Sequence, residues 1–146
     1  MVNASDCVFC RIITGEAPAY VVDENEGAIA FLSLENHPLV VPKTHIRDLY
    51  GMTAEAGAAV MSLAARVARA MKAGLGCDGV FMTQSSDRAA GQDVWHVHIH
   101  LYPCWEGREI GAIGRFFRTV TAEVSWSAEA KSEMLARIQA GLDADR

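Results

Sequence analysis

The chain has 146 residues, of which 51% are hydrophobic and 21% are charged, and its formal net charge is −5. This composition predicts one folded domain over residues 1–146 and excludes a disordered chain, while the acidic balance without a Lys or Arg run argues against a nucleic-acid partner. The first residues lack a signal-peptide pattern and no apolar run approaches the ~18 residues of a membrane span, so we expect a cytoplasmic protein without a membrane partner.

Short elements follow one another from the N-terminus. The segment Cys7–Thr14 is predicted to form a short helix that ends at Gly15. Three strands are then expected, because short apolar runs alternate with polar turns. These strands are predicted at Ala19–Asp23, Gly27–Ser33 and Pro38–Lys43.

The strongest helical signal runs from Thr53 to Gly74. Thr53 is a favourable N-cap, Glu55 lies in the first turn, and Gly74 suits the left-handed conformation that often ends a helix. Apolar residues line one face at helical spacing: Val60, Leu63, Ala64, Val67 and Met71. A second helix is predicted at about residues 127–143, where this spacing returns at Leu135, Ile138 and Leu142.

Two more strands complete the predicted sheet, at Gly79–Gln84 and Val94–Tyr102. Five strands, with one long helix between the third and the fourth, predict an α+β domain with an antiparallel sheet. We expect the core of this domain at about residues 7–105. A C-terminal extension with its own helix follows the core.

Three of the five histidines, His96, His98 and His100, stand at a spacing of two. On a strand they would share one face, with neighbouring side chains about 7 Å apart. Three imidazoles so close are costly to charge together, so some of them should be neutral near pH 7. A neutral imidazole is a nucleophile, a general base or a metal ligand. The pattern therefore predicts an active site on this strand.

The four cysteines are expected to be reduced, because the chain shows no secretion signal. Cys7 and Cys10 form a CxxC pair, whose spacing fits one corner of a tetrahedral zinc site. Cys77 and Cys104 lack a partner at such a spacing and are predicted to be ordinary reduced residues.

Four segments appear in a fixed order along the chain: Cys7 to Pro18, Ala30-Phe-Leu-Ser-Leu34, His37-Pro-Leu-Val-Val-Pro-Lys-Thr-His45, and His96-Val-His-Ile-His-Leu-Tyr102. Together they resemble the histidine-triad (HIT) superfamily of nucleotide hydrolases and transferases. The resemblance implies an HIT-like fold and a homodimer.

In that family the middle histidine is the nucleophile, which corresponds to His98. It would attack the α-phosphate of an adenine dinucleoside polyphosphate or a nucleoside phosphoramidate, and water would release the nucleotide from the histidine. The long segment after Pro103 favours the first of these substrates. His100 would contact the phosphate or the leaving group, and His37 would support it. The phosphate oxygens would be held by loop amides and by two side chains, Gln84 and Gln92.

The same resemblance places the base and the ribose against Phe9, Phe31 and Leu34. Two residues depart from the family pattern. Ser33 stands where many relatives carry an Asp that holds both ribose hydroxyls, so the ribose should be held less tightly. Asp93 stands where many relatives carry a hydroxyl that donates to the leaving group. A protonated Asp93 would act as an acid, whereas an ionised one would repel the phosphate.

Branches of the family that keep the CxxC pair hold a structural zinc, with ligands that correspond to Cys7, Cys10, His45 and His96. Zinc would then position the strand that carries His98 and take no part in the chemistry. Two alternatives remain. The first is a metal-dependent hydrolase in which His96 and His98 bind a catalytic zinc, although it would leave the CxxC pair unexplained. The second is a nucleotide-binding regulatory module with little turnover.

Overall fold

The computed structural model describes residues 4–107 and 126–144. Over these ranges the predicted fold class is confirmed, with a five-stranded antiparallel sheet in the order β1-β2-β3-β5-β4 and one long helix. The strands are β1 Val21–Glu24, β2 Ala28–Leu32, β3 Pro38–Pro42, β4 Gly79–Thr83 and β5 Ile99–Cys104. The helices are α1 Val8–Ile13, α2 Ala54–Leu75 and α3 Ala128–Ala144.

Helices pack against both faces of the sheet. Every residue of β2 and β3 is buried, which explains why these central strands are continuous apolar runs. Helices α2 and α3 cover one face, whose core includes Val40, Val60, Val67, Leu101 and Ile138. Helix α1 covers part of the other face, where Phe9 packs with Ile29, Phe31, Leu39 and Val41. The second face carries the side chains discussed below.

Helix α2 begins as predicted but ends later. The Thr53 hydroxyl accepts the N–H of Ala56 at 3.1 Å, which confirms its role as N-cap. The prediction that Gly74 takes the left-handed conformation was wrong, because the helix continues to Leu75 and Gly76 takes that conformation with φ 66°. None of the helices in the described ranges has the length and apolar character needed to cross a membrane.

Gly74 has a different task, which is to let α3 approach α2. A Cβ at Gly74 would lie 2.7 Å from the carbonyl carbon of Arg137, and its oxygen would be closer still. In the same way, a Cβ at Gly141 would lie 2.8 Å from the carbonyl carbon of Ala70. The Arg137 guanidinium donates to the Leu75 carbonyl at 2.9 Å and so caps the end of α2. The glycines and this cap fix the position of α3.

The strand predicted at Val94–Tyr102 is shifted, since β5 begins only at Ile99. His100 lies on the strand, paired with Leu39, whereas His96 and His98 precede it. The ladder with β3 ends at Ile99 because the N–H of Val97 donates to the Ile46 carbonyl, at 2.7 Å, instead of to a strand. His96 and His98 therefore lie in the irregular segment that leads into β5, and only His100 lies on the sheet.

Candidate functional site

The four residues assigned to zinc come together at the N-terminus of α1. Their ligand atoms all lie within 4.8 Å of one another. Cys10 Sγ lies 3.2 Å from His45 Nδ1 and 3.5 Å from His96 Nδ1, and Cys7 Sγ lies 3.4 Å from His96 Nδ1. Sulfur and nitrogen ligands of a tetrahedral zinc stand about 3.6 Å apart, given their usual bond lengths. The donor set and its spacing therefore fit zinc.

The orientation of His96 also suits a metal ligand. Its Nε2 donates to the Pro42 carbonyl at 2.9 Å, so the lone pair of the neutral ring is on Nδ1, which faces the sulfurs. Burial lowers the pKa of His96 to about 4, although the bond to Pro42 opposes the shift. Burial and the neighbouring Cys7 raise the pKa of Cys10 to about 11, so a bound metal would have to displace the thiol proton.

His98 lines a cavity to which neither Cys7 nor Cys10 contributes. Its Nδ1 donates to the His96 carbonyl at 2.7 Å, and a carbonyl can only accept. In the neutral ring the lone pair is therefore on Nε2. The Phe9 ring stands edge-on to His98, with centroids 5.3 Å apart. The bond to the His96 carbonyl fixes the His98 ring and leaves one basic nitrogen. His98 is not one of the four clustered candidate metal ligands.

His100 lies next to a group of polar side chains that includes His37, Ser33 and Tyr102. His37 Nε2 lies 2.9 Å from His100 Nδ1, so one of the two rings donates to the other. Ser33 Oγ accepts the backbone N–H of His37 at 3.2 Å and lies 3.1 Å from His37 Nδ1. The Tyr102 ring packs on His37, with centroids 4.2 Å apart. The proton positions of His37 and His100 are therefore coupled.

Both of these rings are neutral at pH 7. Burial, and secondarily the neighbouring His100, lowers the pKa of His37 to about 3. Burial and then His98 lower the pKa of His100 to about 4, while the charge of Asp93 opposes this shift. The expectation that clustered imidazoles are held neutral thus has a specific cause here, which is removal from water.

A cavity of about 350 Å³ opens between α1, the β2–β3 turn and the histidines. Its size falls within the usual range of small-molecule sites. The structure brings eight of the predicted site residues to its lining: Phe9, Phe31, Ser33, Leu34, His37, Asp93, His98 and His100. The Phe9 and Phe31 rings meet edge to face at 5.3 Å and provide an apolar wall.

Two predicted phosphate contacts lie elsewhere. The amide nitrogen of Gln92 donates to the carbonyls of Arg47 and Val94, at 2.6 and 3.1 Å, and its oxygen accepts the N–H of Asp87. Gln84 donates to the Ser86 hydroxyl at 2.8 Å. Neither glutamine is among the described residues that line the cavity. Gln92 shapes the loop before the histidines, and the phosphate-binding role of both stays a prediction.

Two charged residues that sequence reasoning did not assign also line the cavity, Glu35 and Lys131. Glu35 stands two residues after Ser33 on the β2–β3 turn. Its position beside Ser33 and Leu34, both predicted to bind the ligand, could have indicated that it lines the site. Lys131 lies on α3, and its Nζ stands 5.9 Å from the centre of the Tyr20 ring. No local pattern around residue 131 indicates this contact, because it depends on how α3 packs against α2.

The chain is similar to known proteins in sequence. The model of the HIT domain family matches residues 14–106. Protein hit of Bacillus subtilis is 35% identical over 115 residues, which are 75% of this chain and 79% of that protein. The adenosine 5'-monophosphoramidase of Saccharomyces cerevisiae is 37% identical over 101 residues, which are 66% of this chain and 61% of that protein.

A solved structure is also similar over nearly the whole chain. A zinc-bound histidine triad family protein from Mycobacterium smegmatis superposes with a TM-score of 0.79 at 28% sequence identity. The match covers 99% of this chain and 100% of the other.

Proposed function

This chain belongs to the HIT family, and we propose that it hydrolyses nucleotides at the α-phosphate through a covalent nucleotidyl intermediate on His98. One observation carries the proposal. The bond from His98 Nδ1 to the His96 carbonyl leaves the Nε2 lone pair as the basic nitrogen of a ring that lines the cavity. Such an imidazole is prepared for nucleophilic attack without a separate general base.

Two displacements complete the proposed reaction. In the first, Nε2 of His98 forms a bond to the α-phosphorus, and the bond from phosphorus to the leaving group breaks. The leaving group keeps the electron pair and takes up a proton. In the second, the oxygen of a water molecule attacks phosphorus, and the P–N bond breaks with its electron pair returning to Nε2. A nucleoside monophosphate and a proton are released.

His100, His37 and Asp93 are proposed to manage charge and protons in these steps. His100 contacts the phosphate, and the bond to His37 holds its ring in place. Asp93 lies close enough to oppose the lowering of the His100 pKa. We assign Asp93 to leaving-group choice, since its protonated form can donate to some leaving groups. Ser33 supports His37 through its hydroxyl and is a weaker ribose contact than a carboxylate would be.

Two features of the chain bear on the substrate class, a relative of known activity and the C-terminal segment. The Saccharomyces cerevisiae relative is an adenosine 5'-monophosphoramidase, which supports a nucleoside phosphoramidate. The C-terminal segment with α3 favours the other substrate we proposed, an adenine dinucleoside polyphosphate. In both cases the base would lie against the apolar wall of Phe9 and Phe31, with Leu34 at the rim.

The residues around His96 are proposed to hold a structural zinc. When bound, the ion would link the N-terminal segment, through Cys7 and Cys10, to the segment that carries His98. A zinc-bound relative from Mycobacterium smegmatis supports the assignment. The chain's own part is to present neutral His96 through its bond to Pro42.

A homodimer is also proposed. Strand β4 lies at an edge of the sheet, and Met82 on it is about half exposed. An edge strand with an exposed apolar side chain favours association. Sedimentation equilibrium of the wild type and of Met82→Glu tests this: the wild type should be dimeric and the variant shifted to monomer. A monomeric wild type at micromolar concentration would refute the dimer.

A substrate panel tests the function. Adenosine 5'-phosphoramidate, diadenosine tetraphosphate and ATP are incubated with the wild type and with His98→Ala, and AMP release is measured. We expect turnover of at least one of the first two, and a loss on the order of 10³-fold or more in the variant. AMP should still bind the variant, because the truncation removes one ring at the cavity lining. Equal turnover by the two proteins would overturn the proposal.

A second candidate, a nucleotide-binding module with little turnover, is favoured by one observation. The carboxylate of Asp93 lines the cavity beside the histidines, where an ionised group opposes the approach of a phosphate. The same panel separates the two functions. Micromolar affinity for AMP without hydrolysis of any substrate would favour the binding module.

A further inference from the structure

Lys131 is a charged group of the cavity that the proposed chemistry does not use. It lies near the start of α3, where its backbone N–H donates to the Ser127 carbonyl. Its side chain lines the cavity and its Nζ stands 5.9 Å from the Tyr20 ring centre. Among the described lining residues it is the only lysine or arginine, beside the two carboxylates of Glu35 and Asp93.

The position of Lys131 follows from the packing of α3. Gly74 and Gly141 let the α2 and α3 backbones approach closely, and Arg137 caps α2. Ile138 is fully buried on the same helix. These contacts lie one to three turns beyond Lys131 and set the rotation of the helix. The cation is therefore brought to the cavity by the fold and does not depend on a flexible loop.

Helix stability does not explain a lysine at this point. A cation near a helix N-terminus opposes the helix dipole. The residues three and four positions away are Ser127, Ala128, Met134 and Leu135, and none of them is acidic. Within the described part of the chain, none of the four ion pairs includes Lys131. As far as the described residues show, the charge is therefore open to a ligand of the cavity.

The sheet register shows which end of a nucleotide would meet Lys131. Val21, Phe31, Leu39 and His100 stand opposite one another on four adjacent strands. Three strand spacings separate the first from the last, which is about 14 Å. Tyr20 directly precedes Val21, so Lys131 lies at the end of the cavity away from His100. A nucleotide with its phosphate at the histidines would direct its base toward Lys131.

We propose that Lys131 reads the edge of the base and favours guanine over adenine. The inference rests on the proposed hydrolysis through His98 and revises the preferred base, since guanosine compounds would bind more tightly than the adenosine compounds named above. An ammonium group only donates hydrogen bonds. Guanine presents two neighbouring acceptors, O6 and N7, and lysine is a common partner of this pair. Adenine places an amino donor at the position of O6, which an ammonium cannot bind. The family match ends at residue 106, so it does not include this residue.

The test measures binding, so that it does not depend on turnover. Dissociation constants of GMP and AMP are determined by calorimetry for the wild type, Lys131→Met, Lys131→Arg and Lys72→Met. Lys72 is an exposed lysine on α2 outside the cavity lining and serves as the matched control. We expect Lys131→Met to lower the affinity for GMP relative to AMP by about tenfold. Lys131→Arg and Lys72→Met should keep the wild-type ratio.

The outcomes separate this inference from the proposed function. An unchanged GMP to AMP ratio in Lys131→Met would overturn the role of Lys131, even if the enzyme hydrolyses nucleotides. The same change in Lys72→Met would also overturn it, since the effect would then be one of general charge. A Lys131-dependent ratio in a protein without any turnover would support the inference and contradict the proposed function.

Discussion

Replacing Gly74 by alanine tests how α3 is placed, and with it the position of Lys131. In a helix interior, alanine is normally more stable than glycine by about 1 kcal/mol. At Gly74 the new Cβ would meet the Arg137 carbonyl, whose carbon lies only 2.7 Å away, against the 3.4 Å of an ordinary contact. Because the carbonyl oxygen would be closer still, helix α3 would have to move by more than about 0.7 Å. Overpacking of this kind usually destabilises by about 1–3 kcal/mol.

The upper bound comes from what α3 buries. Ile138 and Leu142 are almost fully buried, and burial of each such side chain contributes about 1.5–3 kcal/mol. Complete undocking would therefore cost about 3–6 kcal/mol. We expect the displacement of α3 to cost about 2–4 kcal/mol, between these two cases. Helix propensity offsets about 1 kcal/mol of this cost. The free energy of unfolding of Gly74→Ala should thus fall by about 1–3 kcal/mol.

Gly57 in the same helix is the matched control. A Cβ there would lie 3.6 Å from Met52 Cγ, which is an ordinary contact. Gly57→Ala should thus stabilise the protein by up to about 1 kcal/mol. Urea unfolding of the two variants measures the difference directly. If both alanines stabilise the protein equally, α3 does not pack on Gly74 and the reasoning about its position is refuted.

Three further predictions follow from the site. The wild type should bind about one zinc ion per chain, and the Cys7→Ser, Cys10→Ser double variant should lose it. The variant should also lose about 2.7 kcal/mol of stability at free zinc 100 times the dissociation constant. The Cys77→Ala, Cys104→Ala variant should keep its zinc, and zinc retained by the first variant would exclude the proposed ligands. The pKa values of His37 and His100 are about 3 and 4 in the folded state and about 6.5 in the unfolded state. Below pH 6.5 the unfolded state therefore takes up protons that the folded state does not. The free energy of unfolding should fall as the pH drops from 6.5 toward 4, by up to about 1.4 kcal/mol per pH unit for each ring. In His37→Phe, the change of the free energy of unfolding with pH should be smaller by the contribution of one ring, as measured by urea unfolding from pH 4.5 to 7. An unchanged pH dependence would mean that burial does not hold His37 neutral. Asp93→Ser should change the ratio of kcat/KM for the phosphoramidate to that for the dinucleoside polyphosphate between pH 5 and 8, and a constant ratio would show that Asp93 does not contact the leaving group.

Local patterns were sufficient for much of the fold. The apolar spacing from Val60 to Met71 identified the buried face of α2, and Thr53 identified its start. The sequence did not predict the ends of helices and strands that depend on tertiary contacts. Gly74 satisfies a rule for helix ends, but its actual role is close contact with α3, which no short-range pattern contains. The start of β5 depends on the bond from Val97 to Ile46, which is also non-local.

In the candidate site, too, some features could be predicted from the sequence and others depend on tertiary contacts. The pairing of Cys7 and Cys10 with His45 and His96 came from a family resemblance, and the structure brings these four together. Side-chain orientation could not be read in this way. Gln92 has the right residue type and neighbourhood for a phosphate contact, yet its amide bonds to Arg47 and Val94. A glutamine offers both a donor and an acceptor, so sequence alone does not determine which partner it takes.

The most direct test of the central claim is to trap the covalent intermediate. Wild-type protein or the His98→Ala variant, in excess over the substrate, is mixed with a substrate labelled at the α-phosphate. The reaction is quenched in base after milliseconds to seconds, and the protein is examined for label. The account predicts a labelled nucleotide on the wild type, held by an acid-labile P–N bond on His98, and no label on the variant. Equal labelling of both proteins, or product release from the wild type without a labelled protein at any time point, would contradict nucleophilic attack by His98.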